Sequence, residues 1–224
     1  MTCIRQVFLK LAFTASMLLW ASIAVTPAMA APVTFAFTGL VSNVPGTLNP
    51  PFNTTQTLSG SYTFNSLTSD SVANSNRGLY NGAITGLTVN LGPYTATLGN
   101  AGTNFIEIRN QGSDRYTMQA GLTGPLVPGT DFSPLRFRIE LVNTDGTAFI
   151  NDLLPTTPPD LSSFNTKILR FVFEDSDGKA IILGTLSTLT AVPLPAAVIL
   201  FGAGLVALVG LGAGSWRQKK NSFA

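Results

Sequence analysis

The sequence contains no histidine, and its only cysteine is Cys3. A chain without histidine has no imidazole base for a serine or threonine nucleophile and no imidazole metal ligand. Cys3 precedes an apolar run near the start, so the rest of the chain has no disulfide, thiolate nucleophile or cysteine-based metal site. Charge is also scarce, at 11% Asp, Glu, Lys and Arg. The G-x-S-x-G elbow, the phosphate-binding P-loop and a G-x-G-x-x-G turn leading into a helix are all missing. The sequence therefore supplies no catalytic set and no cofactor-binding motif, and the chain is read as a non-enzyme.

Both ends carry the long apolar runs. At the start, Arg5 and Lys10 precede the apolar stretch Leu11–Val25, and Ala28-Met29-Ala30 forms an A-x-A site. This order is that of a cleaved secretory signal over residues 1–30, cut after Ala30 to give a mature start at Ala31. At the other end, Val192-Pro193-Leu194-Pro195 leads into the uncharged run Ala196–Gly214, and Arg217, Lys219 and Lys220 follow. A helix over that run would cover roughly 28 Å, close to the hydrocarbon thickness of a bilayer. The basic residues after it favour the cytoplasmic side. Hydropathy alone makes 196–214 a transmembrane helix with a basic tail at 215–224, and Gly210 and Gly214 stand in GxxxG spacing.

Setting these segments aside changes the charge account. The chain has 13 Lys+Arg and 11 Asp+Glu, but Arg5, Lys10, Arg217, Lys219 and Lys220 lie in the end segments and every acid lies between them. The middle carries 8 − 11 = −3, which gives no nucleic-acid footprint.

That middle, 31–191, alternates with period two. Leu58, Gly60, Tyr62 and Phe64 form one apolar face; Leu87, Val89 and Leu91 form another. Leu135, Phe137, Ile139 and Leu141 alternate with Arg136, Arg138 and Glu140, and Leu169, Phe171 and Phe173 with Ile168, Arg170 and Val172. Such alternation belongs to antiparallel sheets with one buried face. Turn signals at Pro45-Gly46, Asn81-Gly82, Asp145-Gly146 and Asp177-Gly178 separate the runs. Strands are expected at 33–42, 56–65, 82–91, 93–99, 104–109, 115–120, 135–142, 168–174 and 180–189, with a polar loop over 65–78. A short edge strand is possible at 147–154, and one helical turn capped by Asp160 in the Pro-rich loop 154–164. The expected fold is all-β, a single antiparallel jelly-roll-like β-sandwich flanked by the signal peptide and the transmembrane helix.

Candidate chemistry in the middle is sparse. Glu174-Asp175-Ser176-Asp177-Gly178 is too short for a calcium loop and suits a tight hairpin turn. Glu107, Glu140 and Glu174 are mid-strand carboxylates, a glycosidase pair only if two of them converge in a cleft. Arg136, Arg138 and Glu140 share a strand face and suit cross-strand ion pairs, or a polar stripe for a glycan. Tyr80, Tyr94 and Tyr116 suit a core, or sugar stacking if exposed.

The order of Pro-bearing tetrad, apolar run and terminal basic cluster, with Ala196-Ala197-Val198-Ile199-Leu200-Phe201-Gly202 following the tetrad, resembles the PEP-CTERM sorting signal of Gram-negative bacteria in its VPLP form. Leu194 stands where the acidic residue of the signal's name stands. The resemblance covers 192–224 and implies recognition by exosortase, a membrane protease-transpeptidase, with cutting near Pro193–Pro195. The middle, through Tyr80–Val89 and Leu154–Phe164, also looks like domains that such proteins carry. The implied role is an exported protein, held first at the inner membrane and then at the cell surface or in the extracellular matrix. It would be structural or adhesive in association with exopolysaccharide or biofilm. A carbohydrate-binding module is the alternative, and a polysaccharide hydrolase the third reading.

Overall fold

A computed structural model describes residues 32–100 and 104–193. They form ten strands: β1 (Pro32–Asn43), β2 (Thr57–Asn65), β3 (Arg77–Asn81), β4 (Ile84–Leu91), β5 (Tyr94–Leu98), β6 (Phe105–Gln111), β7 (Ser113–Thr123), β8 (Ser133–Asn143), β9 (Thr166–Glu174) and β10 (Lys179–Ala191). Two single 3-10 turns, Gly46–Leu48 and Leu161–Ser163, are the only helical pieces among the described residues. The second is capped as expected: the Asp160 side chain accepts from the Ser162 N–H. Residues 147–154 form no strand.

The architecture corrects the expected β-sandwich. Neighbouring strands run β7-β5-β4-β2-β1-β10-β9-β8, and β8 pairs back onto β7, closing an eight-stranded antiparallel barrel. Closure rests on β7. One edge of it pairs with β8 from Asp114↔Asn143 to Gly121↔Arg136. The other edge is shared: residues up to Gln119 pair with β6, while Leu122 and Thr123 pair with Leu98 and Thr97 of β5. Strands β6 and β3 continue the sheet outside the ring as a two-stranded flap. The free edge of β3 is covered, since Leu79 N–H donates to Asp70 and its carbonyl accepts from Ser71 N–H. A covered edge removes a template for unwanted strand pairing.

The flanking transmembrane helix of the expected fold falls on residues outside those described. No helix among the described residues is long and apolar enough to cross a membrane. The run Ala196–Gly214 lies outside the described residues, as do the signal segment and the basic tail.

Inward positions of the strands fill the barrel. Phe35, Phe37, Phe64, Phe137, Phe171 and Phe173 are fully buried with Tyr62 and Tyr116. Phe37 of β1 stacks on Phe137 of β8 with ring centroids 5.1 Å apart, joining walls that are not neighbours. Eight strands leave an interior that side chains just fill. The fit is tight enough to require glycine at position 60, where a Cβ would collide with the Thr88 carbonyl and lie 2.8 Å from the Phe37 ring. At the Asn81-Gly82 turn, Gly82 takes φ 71°, which its lack of a Cβ permits.

A polar link within the core is a hydroxyl pair, Tyr62 Oη to Tyr116 Oη at 2.8 Å. Burial, and then Tyr116 itself, raise the pKa of Tyr62 well above 10; burial likewise raises that of Tyr116. Burial also pushes Tyr94, whose hydroxyl donates to the Pro125 carbonyl, up to about 12. Folded tyrosines therefore keep their protons where unfolded ones lose them. Stability from this source is complete below pH about 10 and falls as pH rises above it, by about 1.4 kcal/mol per pH unit for each such tyrosine. Urea unfolding between pH 8 and 11.5 should show this decline, and Tyr62→Phe/Tyr116→Phe should flatten it. An unchanged slope in the double variant would assign the alkaline sensitivity elsewhere.

Candidate functional site

Charge is sorted by strand. β1, β2, β4 and β5 contain no charged residue, and β10 has only Lys179 at its start. Many of their outward positions are small or polar: Thr34, Ala36 and Thr38 of β1 lie beside Thr63, Ser61 and Ser59 of β2, with Gly86, Thr88 and Asn90 of β4 beyond, while Leu40 and Ile181 are exposed apolar exceptions. Hydroxyls there pair across strands, Thr34 with Thr63 at 2.8 Å and Thr38 with Thr188 at 2.7 Å.

The opposite wall and the flap, β3-β6-β7-β8-β9, carry all six arginines of the barrel domain. Register places Arg77, Arg109 and Arg115 directly opposite one another on β3, β6 and β7. The next outward row holds Glu107, Thr117 and Glu140, and the row after that Gln119, Arg138 and Arg170. Two ion-pair clusters result. Glu107 Oε1 takes Arg77 Nε at 2.6 Å and Arg109 Nη2 at 3.0 Å. Glu140 takes Arg138 Nη2 at 3.3 Å, Arg170 Nη2 at 3.5 Å and Arg115 Nε at 3.6 Å. Five guanidiniums thus surround two carboxylates, leaving 5 − 2 = +3 on one face of a domain whose total is −3.

The arginine side chains lie flat enough to cover what is beneath them. Glu107 is 6% exposed, Glu140 8% and Thr117 0%, though all three point away from the barrel interior. Burial pushes the Glu107 carboxyl up, but the hydrogen bonds and charges of Arg109 and Arg77 outweigh it and hold the group below its ordinary value. Burial lowers the pKa of Arg138; Glu140 opposes that, while Arg170 and Arg115 add to it by repulsion. At the end of this face a shallow pocket of about 170 Å³ opens between Arg77, Arg109 and Arg115, rimmed by Asn74, Asn76, Gln111 and Ser113.

The structure brings some expected groups together and separates others. The cross-strand ion pairing expected of the stripe is present at Glu140, which meets Arg115 and Arg170 of the neighbouring strands, and Arg138 joins the cluster from Glu140's own strand. Glu107 and Glu140 share a register row across Thr117, each engaged by arginines. A carboxyl held low suits an ion pair; a general acid needs the opposite shift. Tyr80, Tyr94 and Tyr116 are 5%, 5% and 0% exposed, so none offers a ring for sugar stacking. The acidic stretch at 174–178 is a hairpin turn in which Asp175 Oδ1 accepts from the N–H groups of Asp177 and Gly178. Among the described residues, no group of three Asp, Glu, His or Cys side chains converges to hold a metal ion.

Of the expected sorting tetrad, Val192 and Pro193 follow the end of β10, and Val192 N–H donates to the Thr34 carbonyl at 2.8 Å. Leu194, Pro195, Arg217, Lys219, Lys220, Ala28 and Ala30 lie outside the described residues. The sequence reading missed Arg77, Arg109 and Arg115 as a site. Arg77 fell in an expected loop, but the signal for the others was available: every arginine within an expected strand alternated with inward apolar residues. Comparison with protein-family models, curated proteins and solved structures found no match.

Proposed function

We propose that the chain is an exported protein of a Gram-negative bacterium, sorted by exosortase to the cell surface or extracellular matrix. Its role there is structural or adhesive, in association with exopolysaccharide. The observation that carries this reading is where the barrel begins and ends. β1 starts at Pro32, one residue beyond the mature start read from the A-x-A site, and β10 ends at Ala191, one residue before the tetrad. Phe35 is paired with Ala191, so both segments join the barrel at the same end of one antiparallel seam. Either segment can be removed without taking a rung from the barrel's ladders beyond the Val192–Thr34 bond.

A carbohydrate-binding module remains the second reading, favoured by the pocket whose rim offers amide and hydroxyl groups between arginines. The sorting reading is separated from simple secretion by cell fractionation combined with intact mass. The full chain is expected at the surface or in the matrix, with its N-terminus at Ala31 and its mass ending near the tetrad. Deletion of 192–224 should redistribute it. Identical fractionation of the two proteins would overturn the sorting reading.

A further inference from the structure

We infer that the row Arg77–Arg109–Arg115 binds the acidic groups of an oxyanion-bearing polysaccharide, with the adjoining pocket receiving one sugar unit. The inference deepens the matrix-associated reading and rests on it for the source of the polymer.

Three observations carry it. First, like charges directly opposite one another on neighbouring strands are destabilising. Here three stand in consecutive register, and the salt bridges of Glu107 in the adjacent row go to Arg77 and Arg109. Arg115 is directed to Glu140, which also serves Arg138 and Arg170. An oxyanion settling over the row relieves that repulsion. Second, each guanidinium has five N–H donors in a planar fork suited to carboxylate, sulfate or phosphate. Glu107 uses one nitrogen of Arg77 and one of Arg109, leaving donors on side chains that are 40% and 45% exposed. Third, the row spans two strand spacings, about 10 Å, so it is long enough for more than one acidic group.

The rim decides between polymers. Asn74, Asn76, Gln111 and Ser113 match the hydroxyls of a sugar ring, and no aromatic side chain lines the pocket to stack a base.

The test measures binding of the full chain to a soluble polyuronate, to sulfated dextran, to neutral dextran and to single-stranded DNA, at low and at moderate salt. The polyuronate or the sulfated dextran is expected to bind, and the stronger of the two identifies carboxylate or sulfate as the partner group. Binding should weaken as salt rises. Neutral dextran should not bind. Arg77→Gln and Arg115→Gln should each lower affinity about tenfold, a change of about 1.4 kcal/mol. Arg77→Lys, which keeps the charge and loses the fork, should recover part of it. Lys179→Gln, away from the row, should change nothing. Urea unfolding of each variant separates lost binding from lost folding. Tighter binding of DNA than of either polysaccharide, equal binding of neutral dextran, or an equal loss in Lys179→Gln would overturn the inference. Failure to bind would leave the fractionation result standing, and altered sorting would leave the binding result standing.

Discussion

Phe171→Ala is expected to lower folding stability by about 4 kcal/mol, the largest effect of any single change considered. Phe171 is fully buried on β9, stacked on Phe173 at 4.3 Å and set edge-on to Phe137 of β8 at 6.1 Å. Removing the ring deletes the apolar area that it takes from water and leaves a void beneath strands held in a closed ring. Strands of an open sheet can shift toward a cavity; those of a closed barrel are restrained by pairing on both edges. A typical domain has only about 5–15 kcal/mol of stability. Urea unfolding should therefore show a large fall in midpoint for Phe171→Ala and a much smaller one for Phe171→Leu. A loss below about 1.5 kcal/mol would mean that the barrel interior collapses onto the space, and that the aromatic packing is not what holds it.

The second large effect is expected on the outer wall. Glu140→Gln keeps the shape of the side chain and removes the carboxylate charge that pairs with Arg115, Arg138 and Arg170. Breaking a fully buried ion pair costs about 3–5 kcal/mol. The guanidiniums here are 28% to 41% exposed, and solvent screening reduces the penalty to about 2–3 kcal/mol. Added sodium chloride should restore more stability to the variant than to the parent, because it screens the exposed repulsion. The same variant should bind an acidic polymer more tightly, since it frees positive charge on that face. A variant as stable as the parent at low salt would show that the arginines disperse into water once released, so that Glu140 does not organise them.

Much of the barrel was legible as separate strands. Nine of the ten were expected, β2, β4, β8 and β9 most directly through alternation of apolar and polar residues, and inward members of those four help to fill the core. β3 has no counterpart among the expected strands: Arg77 and Gly78 fall at the end of the expected loop and Asn81 in the expected turn, and its five residues contain only Leu79 and Tyr80 as bulky apolar groups. Alternation also could not separate a sandwich from a barrel. It fixes which side of a strand is buried and says nothing about whether the outer edges of a sheet meet. That outcome depends on the pairing of β7 with β8 and on two residue pairs between β5 and β7. The site was partly legible: Arg138 and Glu140 alternate within one strand, and Arg109 and Arg115 meet across a single hairpin, whereas Arg77 joins them only through a pairing that skips β4 and β5.

The seam between β1 and β10 has a mechanical consequence. The beginning of β1 and the end of β10 lie side by side, with Phe35 opposite Ala191. Tension between those two points would act on the ladder as on a zipper, opening one rung at a time instead of shearing all rungs together. The barrel is thus a poor link in a chain loaded through both ends. Held by one end alone, with its load taken on the arginine wall, it keeps that tension off the seam and transmits it across the width of the sheet.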